Sequence, residues 1–251
     1  AIENQFEIKE FFENIGAGDV TLSLNLLKES FSNPHINQEA VLDHSSIRFH
    51  EFLRAAILSD FNYYQPDESP IANIFDIFTL DGKEHFMVGS LLCLLDGYSA
   101  KNKGFVEIRI IYEDLQSIGF KSYQINNGLS HCISKRLVDT HQEIVKDRDS
   151  VSTRVSMVRI NSRGEYHLKI LPSNFEYLDV MVIDTPILDE DARIKITDAR
   201  TLAERIKRGG VFCGYLDKQW EYLDKSPAGF DWKSNSRALE ATMIEIEGKL
   251  Y

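Results

Sequence analysis

The chain contains 251 residues, of which 43% are hydrophobic and 27% are charged, and its formal net charge is −11. This composition is typical of a soluble globular protein, and the length allows one large domain or two small ones. The longest apolar runs, such as VGSLLCLL at 88–95, are too short to cross a bilayer, and Glu3, Glu7 and Glu10 stand where a signal peptide needs basic residues. We therefore expect neither a membrane span nor a signal peptide.

The three cysteines, Cys93, Cys132 and Cys213, are far apart and odd in number, and each lies among apolar neighbours. This arrangement predicts buried free thiols in a reducing cytoplasm. No CxxC pair or Cys/His cluster is present to hold zinc. We therefore expect no metal and no cofactor in this chain.

Charge is distributed unevenly along the sequence. Residues 1–100 carry 5 Lys and Arg against 16 Asp and Glu, residues 101–170 carry 12 against 8, and residues 171–251 carry 11 against 15. The middle segment is therefore basic by four charges (12 − 8) in a chain that is otherwise acidic. Such a segment can attract phosphate groups at short range. An excess of this size also arises by chance, so a phosphate-binding segment and an ordinary fluctuation in composition both stay open as interpretations.

The first third of the chain is predicted to be helical. Apolar residues at helical spacing indicate helices at 3–15, 19–31, 38–42 and 47–58. Asp19 is expected to cap the second of them. Residues 59–82 contain Pro66 and Pro70 and have no clean period, which predicts a surface loop packed by its aromatic side chains.

The segment from 84 to 170 has the order of a winged helix-turn-helix. The predicted elements are a helix at 84–95, a short strand at 105–108, a helix at 110–118 and, after a tight turn at Gly119, a helix that begins at 122. Two strands at 137–144 and 154–160 follow and form a hairpin. The linker between the hairpin strands, VKDRDSVST, is polar and charged, as a wing tip would be. Ser122 is expected to cap the third helix, and Ser162 a helix after the wing.

The remaining sequence is again helical. It predicts a buried helix in NFEYLDVMVID, an acidic loop at 189–191, and helices at 197–208, 211–223 and 236–250 with a break at Gly209-Gly210. The expected fold class is mainly α, a helical bundle with an embedded winged helix-turn-helix and its small β wing. The expected parts are a helical part at 1–82, a winged-helix domain at 83–171 and a helical C-terminal part at 172–251.

The third helix of the winged-helix unit is the candidate for contact with double-stranded DNA. Its apolar stripe is expected to face the core through Ile125, Leu129, Cys132, Ile133 and Leu137. The side chains suited to base edges are Gln124, Asn127 and His131. The cations placed to contact phosphates are Lys121, Lys135, Arg136 and, on the wing, Arg148. Asp147 and Asp149 oppose a polyanion, and a solvated or protein-binding face is the alternative interpretation.

Several segments carry a family resemblance. Phe11-Phe12-Glu13 in the first helix is followed by Gly18-Asp19-Val20-Thr21-Leu22-Ser23-Leu24 at the start of the second, and the later segments EYLDVMVIDTPI and FCGYLDKQWEYL follow the wing. Together with the winged-helix order, they resemble the lid, the winged helix and the C-terminal part of bacterial AAA+/STAND-type P-loop ATPases and their origin-recognition relatives. The family's lid helix begins Gly-(Asn/Asp)-x-Arg-x-Ala-Leu.

This resemblance implies a regulatory region rather than an ATPase core. Thr21 stands where the family has the Arg that reaches the nucleotide phosphates, so nucleotide sensing from this lid is in doubt. No GxxxxGK[ST] phosphate-binding loop occurs, since Gly82-Lys83 is followed by Glu84. We therefore expect no ATP binding or hydrolysis by this chain alone, and, if the resemblance holds, an ATPase core upstream of Ala1.

Three functional hypotheses follow. The leading one is a non-catalytic regulatory region of a P-loop ATPase that binds DNA or a partner protein through the winged helix. The alternative is a helical interaction or oligomerisation scaffold without nucleic-acid binding, self-associating through the helix at 211–223. The third is a divalent-metal nuclease, because Asp67, Asp81 and Lys83 follow a PD…(D/E)xK pattern, although the expected α/β core is missing.

Overall fold

The computed structural model describes residues 5–34, 36, 48–102, 104–147, 150–196, 199–223 and 230–249. In these ranges the chain is mainly helical and contains one small antiparallel sheet of three strands, which confirms the predicted fold class. The predicted helix at 38–42 and Arg148 lie outside the described residues. Among the described helices, none is long and apolar enough to cross a membrane.

Three described helices precede the winged-helix unit: α1 (Gln5–Gly16), α2 (Val20–Ser32) and α3 (Phe49–Leu58). The predicted cap of α2 is confirmed, because the Asp19 carboxylate accepts a hydrogen bond from the Leu22 N–H at 3.0 Å. The buried Phe11 ring of α1 makes edge contacts with Phe52 of α3 at a centroid distance of 5.1 Å. These aromatic contacts join the two helices into one layer.

The winged-helix unit has the predicted order. A 3₁₀ turn at Gly82–Phe86 leads into α4 (Met87–Asn102), β1 (Val106–Glu107), α5 (Ile108–Ser117), α6 (Ser122–Ser134), β2 (Val138–Asp147) and β3 (Ser150–Ile160). The sheet order is β1-β3-β2, with both pairs antiparallel. Both wing strands are longer than predicted, since backbone pairing continues to Asp147 and Ser150 through the polar linker. The cap of α6 is Lys121 rather than Ser122.

The C-terminal part consists of α7 (Ser162–Lys169), a 3₁₀ turn at Leu171–Ser173, α8 (Phe175–Asp184), α9 (Glu190–Lys195), α10 (Leu202–Glu221) and α11 (Trp232–Gly248). Asn161, not Ser162, caps α7 through a hydrogen bond from the Gly164 N–H. The predicted break at Gly209-Gly210 is wrong, because α10 is continuous through both glycines. A Cβ at position 209 would lie 3.2 Å from Met243 and from Phe175, so the glycine serves close helix packing instead of ending the helix.

Part of the helix predicted to mediate self-association, at 211–223, lies in the core. Phe212 and Leu216 are fully buried, and Phe212 makes an edge contact with Phe75 at 6.0 Å between ring centroids. The regular apolar spacing of this helix therefore reflects its place in the core. The core is one cluster of buried side chains that draws on all three expected parts of the chain, and the boundaries between those parts stay a prediction.

A buried ionic cluster connects α3, α8 and α10. Asp179 on α8 is fully buried and accepts hydrogen bonds from Arg54 at 3.1 Å, from Arg205 at 2.6 Å and from Arg208 at 2.5 Å. Burial by itself would raise the pKa of Asp179, but the charges and hydrogen bonds of Arg205 and Arg208 outweigh it and lower the pKa below its ordinary value. The carboxylate is therefore ionised and holds three cations from two helices in place.

We expect the substitution Asp179→Asn to destabilise the fold by about 3–5 kcal/mol, because it removes the carboxylate that neutralises the buried Arg208 guanidinium, while Arg54 and Arg205 keep Glu176 as a neighbour. Urea unfolding followed by circular dichroism measures the change. Asp139→Asn is the matched control, since Asp139 forms a surface ion pair with Arg159 and both side chains are about two-fifths exposed. The control should lose no more than about 1 kcal/mol. Equal losses of stability in the two variants would show that the buried ionic cluster contributes no more to the fold than a surface ion pair.

Candidate nucleic-acid interface

Helix α6 occupies the position of the recognition helix in the winged-helix unit. The turn that separates it from α5 requires Gly119, whose φ of +103° is in the left-handed region. The Phe120 N–H then bonds the Leu115 carbonyl at 3.1 Å, and the Phe120 ring is buried. This arrangement ends α5 and sets the direction in which α6 begins.

The predicted apolar stripe of α6 faces the core. Ile125, Leu129 and Cys132 are buried, as is Leu137 after the helix, and Ile133 packs partly against the same cluster. Gly128 lies on this side too, and a Cβ there would come within 2.9 Å of the Met87 side chain. The close approach of α4 therefore fixes how α6 is rotated about its axis.

Three of the predicted contact residues face the protein rather than solvent. Gln124 is 1% exposed, and its amide nitrogen donates to Asp81 at 3.1 Å while its amide oxygen accepts from the Lys121 N–H at 2.9 Å. The His131 ring lies 5.8 Å from the Phe78 ring. The Lys135 ammonium donates to the Ser69 carbonyl at 3.2 Å. Asp81, Phe78 and Ser69 belong to residues 59–82, the segment between α3 and the winged-helix unit, which we call the connector.

The other predicted residues are dispersed. Asn127 is half-buried on the open side of α6. Lys121 is exposed at the start of the helix, with its ammonium 5.8 Å from the centre of the Tyr123 ring. Arg136 is exposed at the other end, has a φ of 54°, and pairs with Asp19 at 3.4 Å. Arg148 lies outside the described residues. The structure therefore brings Gln124, His131 and Lys135 to one side and leaves the others apart.

The exposed side of α6 carries residues that the sequence analysis did not select: Tyr123, Asn126, Ser130 and Ser134. Because an α-helix turns by about 100° per residue, Gln124, His131 and Lys135 lie about 90° from the mean direction of the buried positions Ile125, Gly128, Leu129 and Cys132, whereas this set and Asn127 average about 150° from it. The predicted stripe, whose centre is displaced by Ile133 and Leu137, does not give this result, so the burial of Gly128 against α4 was needed to find the exposed side. It is polar and uncharged, and the Tyr112 hydroxyl of α5 donates to the Asn126 amide oxygen.

The prediction that the connector is a surface loop is wrong for its middle. Ile71, Ala72, Ile74 and Phe75 are at most 1% exposed. This stretch has no strand or helix partner, so its buried backbone groups need side-chain partners. Its burial is what holds the following residues, up to Asp81, against α6.

Side chains from distant parts of the chain satisfy the connector backbone. The Tyr177 hydroxyl donates to the Ala72 carbonyl at 2.7 Å and accepts from the Ile74 N–H at 2.9 Å. The His167 Nε2 accepts from the Ala72 N–H at 2.9 Å, so the ring is neutral with its proton on Nδ1, which donates to the Arg163 carbonyl. These bonds fix the connector to α7 and α8.

A second histidine holds the end of the buried stretch. The His85 Nδ1 donates to the Phe75 carbonyl at 2.5 Å, and its Nε2 accepts from the Tyr215 hydroxyl at 2.7 Å. Both ring nitrogens of a neutral imidazole are then used. The connector, the winged-helix unit and α10 therefore share one buried hydrogen-bond network.

The cations on the winged-helix surface have carboxylate neighbours. The pairs are Arg109 with Glu113 at 2.8 Å, Arg136 with Asp19 at 3.4 Å, Arg154 with Glu143 at 3.8 Å, and Arg159 with Asp139 at 2.7 Å. Exposed pairs of this kind contribute only about 0–1 kcal/mol each. They lower the local positive potential, and they are weak enough for a phosphate group to compete with the carboxylate.

The geometry around Asp67 and Asp81 gives no support to the nuclease hypothesis. Asp81 caps the 3₁₀ turn by accepting from the Lys83 N–H at 3.1 Å and bonds Gln124, while Asp67 lines a cleft beside Lys135. Within the part of the chain that the structure describes, no group of three His, Cys, Asp or Glu side chains is arranged to hold a metal ion.

We expect Tyr177→Phe to destabilise the protein by about 2–4 kcal/mol, because it leaves the Ala72 carbonyl and the Ile74 N–H buried without a partner. Urea unfolding measures the loss. Tyr98→Phe is the control, since that hydroxyl bonds Asp114 at 2.6 Å near the surface, where water can replace it. A Tyr177→Phe variant as stable as the control would mean that the connector backbone finds other partners.

Stability should fall steeply between pH 6 and pH 4. Burial lowers the pKa of His85 and of His131 from 6.5 to about 4 and that of His167 to about 3. The contribution of these three histidines to stability is present above pH 6.5 and is lost as pH falls. Burial raises the pKa of Asp76 from 3.8 to about 6, and the contribution of Asp76 to stability is lost as pH rises. For these four groups together, the unfolded state at pH 5 binds about two more protons than the native state, which gives a slope of about 2–3 kcal/mol per pH unit.

Urea midpoints measured from pH 7.5 to pH 4.5 test this expectation. His131→Gln should reduce the excess proton uptake from about two to about one. His141→Gln, on the exposed face of the wing, should leave the profile unchanged. A profile that is flat between pH 6 and pH 4 in the unmodified protein would contradict the burial of these histidines as neutral rings.

Comparison with protein families, with curated proteins and with solved structures finds no match to this chain. The feature that bears on function is the winged-helix unit itself: a helix in the recognition position, with one side bound to the connector and another side exposed with uncharged hydrogen-bonding side chains.

Proposed function

We propose that this chain is a non-catalytic regulatory region of a P-loop ATPase and that its winged helix binds double-stranded DNA through the exposed side of α6. One observation carries the proposal. Along most of its length α6 presents to solvent side chains that can donate and accept at base edges, namely Tyr123, Asn126, Asn127, Ser130 and Ser134. The same proposal places the chain in the cytoplasm, in keeping with its three free cysteines.

The dimensions of α6 suit a major groove. Its 13 residues span about 20 Å, and a groove about 12 Å wide admits a helix. Asn126 and Asn127 then lie at the middle of the contact, where an amide can pair with adenine. Lys121 and Arg136 lie at the two ends, about 22 Å apart along the axis, and are placed for phosphates on either side.

The ATPase part of the proposal rests on the resemblance of the lid-like helices and the winged helix. Thr21 replaces the family's phosphate-contacting Arg, and no phosphate-binding loop occurs in this sequence. We therefore propose no nucleotide binding for this chain alone. Its role in a larger protein would be to couple DNA contact to an ATPase core supplied elsewhere.

A partner protein at the same surface is the second candidate, and two observations favour it. Four arginines of the winged-helix surface have carboxylate neighbours, which weakens attraction to a polyanion. In addition, Leu80 is 92% exposed and Phe78 is 47% exposed, on the part of the connector that lies along α6. Exposed apolar side chains beside tyrosine and asparagine are typical of a protein-binding surface.

The test is fluorescence anisotropy with a labelled mixed-sequence duplex over a salt series. We expect micromolar binding that weakens as salt rises. Lys121→Ala/Arg136→Ala should weaken binding by about tenfold to a hundredfold and lower the slope of log affinity against log salt by about two. Asn126→Ala/Asn127→Ala should reduce discrimination between sequences more than it reduces the salt slope.

Lys207→Ala/Lys218→Ala is the matched control, because it removes two exposed cations of α10, outside the winged-helix unit. This variant should bind like the unmodified chain. If the control weakens binding as much as the α6 variant, contact is not through α6. If no binding occurs at low salt, DNA contact by this chain is refuted and the partner-protein candidate replaces it.

A further inference from the structure

One edge of the wing is open over much of its length. β3 pairs with β2 from Ser150 to Ile160, but β1 covers only Met157 and Val158 on the other side. Among the described residues no strand pairs with the outer edge of β3 from Ser150 to Ser156. The chain leaves the sheet at this point, because α5 begins directly after Glu107. No described strand therefore continues the line of β1 along the rest of β3.

The hairpin geometry determines which backbone groups are at this edge. The two strands are joined through two residues, and Asp147 pairs with Ser150. The pair that flanks a two-residue connection is hydrogen-bonded, and such pairs alternate along an antiparallel ladder. Ser150, Ser152 and Arg154 then direct their backbone groups toward β2. Val151, Thr153 and Val155 direct theirs outward, to the open edge.

The two edges of the wing differ in how well they are protected against pairing with a strand of another chain. The β2 edge has a register shift between His141 and Gln142 and carries charged residues, which are features that oppose pairing with another chain. Those charged residues are Asp139, Glu143, Lys146 and Asp147. The open part of β3 reads SVSTRVS, with one charge, no proline and no glycine. Its residues are favourable for a strand, so this edge lacks the usual protection against strand addition.

A cleft of about 550 Å³ lies beside the open edge. Its apolar lining consists of Ile108 at the start of α5 and Val155 and Met157 on β3, all of them half-buried. Its rim carries Arg109, Arg154 and Glu143, and Arg154 pairs with Glu143 at 3.8 Å. The cleft thus combines a free backbone edge with an apolar floor and a rim of both charges.

We propose that this edge binds an extended segment of a partner protein by strand addition, antiparallel to β3 and in line with β1. An extended polypeptide is the occupant that satisfies both the donors and the acceptors of Val151, Thr153 and Val155 in one ladder. Alternate side chains of the segment lie on Ile108, Val155 and Met157, so the segment alternates small apolar and polar residues. This inference is independent of the DNA contact proposed for α6.

The probe is a fluorescein-labelled peptide of alternating threonine and valine, seven residues long and blocked at both ends. Its binding is measured by anisotropy, and amide hydrogen exchange of the protein is followed by NMR. We expect saturable binding and slower exchange at Val151, Thr153 and Val155. A peptide of the same sequence with alternate amides N-methylated should bind at least about tenfold more weakly, because it cannot complete the ladder.

Two substitutions at directly opposite positions give the matched comparison, since Val155 pairs with Gln142 across the wing. Val155→Lys places a charge at the open edge and should weaken binding by about tenfold or more. Gln142→Lys places the same charge on the β2 edge and should change binding by less than about twofold. Circular dichroism confirms that both variants are folded, and the N-methylated probe tests the ladder without any change to the protein.

Three outcomes would overturn the proposal. One is the absence of binding at millimolar probe. Another is equal binding of the plain and N-methylated peptides, or equal losses in the two variants. The third is self-association of the chain that Val155→Lys abolishes, since a second copy would then be the occupant of the edge. Analytical ultracentrifugation over a concentration series, run alongside the peptide titration, detects that case.

Discussion

The position of α6 depends on the burial of the connector residues from Ile71 to Phe75. An extended segment inside a core has no ladder of its own, and each backbone group left without a partner costs about 1–3 kcal/mol. Tyr177, His167 and His85 supply the missing partners from three other segments. Moving the connector would break all of these bonds together. The connector, the 3₁₀ turn, α7 and α8 are therefore held in one arrangement.

This arrangement determines what the winged helix offers to other molecules. The connector continues from the core to Asp81 and covers the side of α6 that carries Gln124, His131 and Lys135. Lys135 and Gln124 therefore form hydrogen bonds to the connector. Among the described residues, the side of α6 that stays open carries Tyr123, Asn126, Ser130 and Ser134, which are uncharged and can form hydrogen bonds. Any long-range attraction to phosphates comes from the cations at the two ends of the helix and on the wing.

The wing and the ionic cluster illustrate opposite uses of polar groups. Asp179 is enclosed by Arg54, Arg205 and Arg208, and its hydrogen bonds join helices that are far apart in sequence. Removing a partner there leaves a charge in the interior, which is a large penalty. On β3 the backbone groups of the open edge are at the surface, where water satisfies them at little cost. Such groups are available to a partner, whereas those around Asp179 are committed to the fold.

The sequence by itself determined the helical class, the order of the winged-helix elements and the apolar stripe of α6. These features depend on local periodicity and on turn residues such as Gly119, whose effects extend over only a few neighbouring positions. The face of α6 that meets solvent does not follow from the same stripe, because Ile133 and Leu137 displace its centre from the buried positions Ile125, Gly128, Leu129 and Cys132. Packing between distant segments was needed to show that the connector is buried, that α10 continues through Gly209 and that Phe212 lies in the core. The reason is distance along the chain: Ala72 meets His167 and Arg54 meets Asp179, separated by 95 and 125 positions. No local pattern encodes such partners, so the side of the recognition helix left for function was settled by packing.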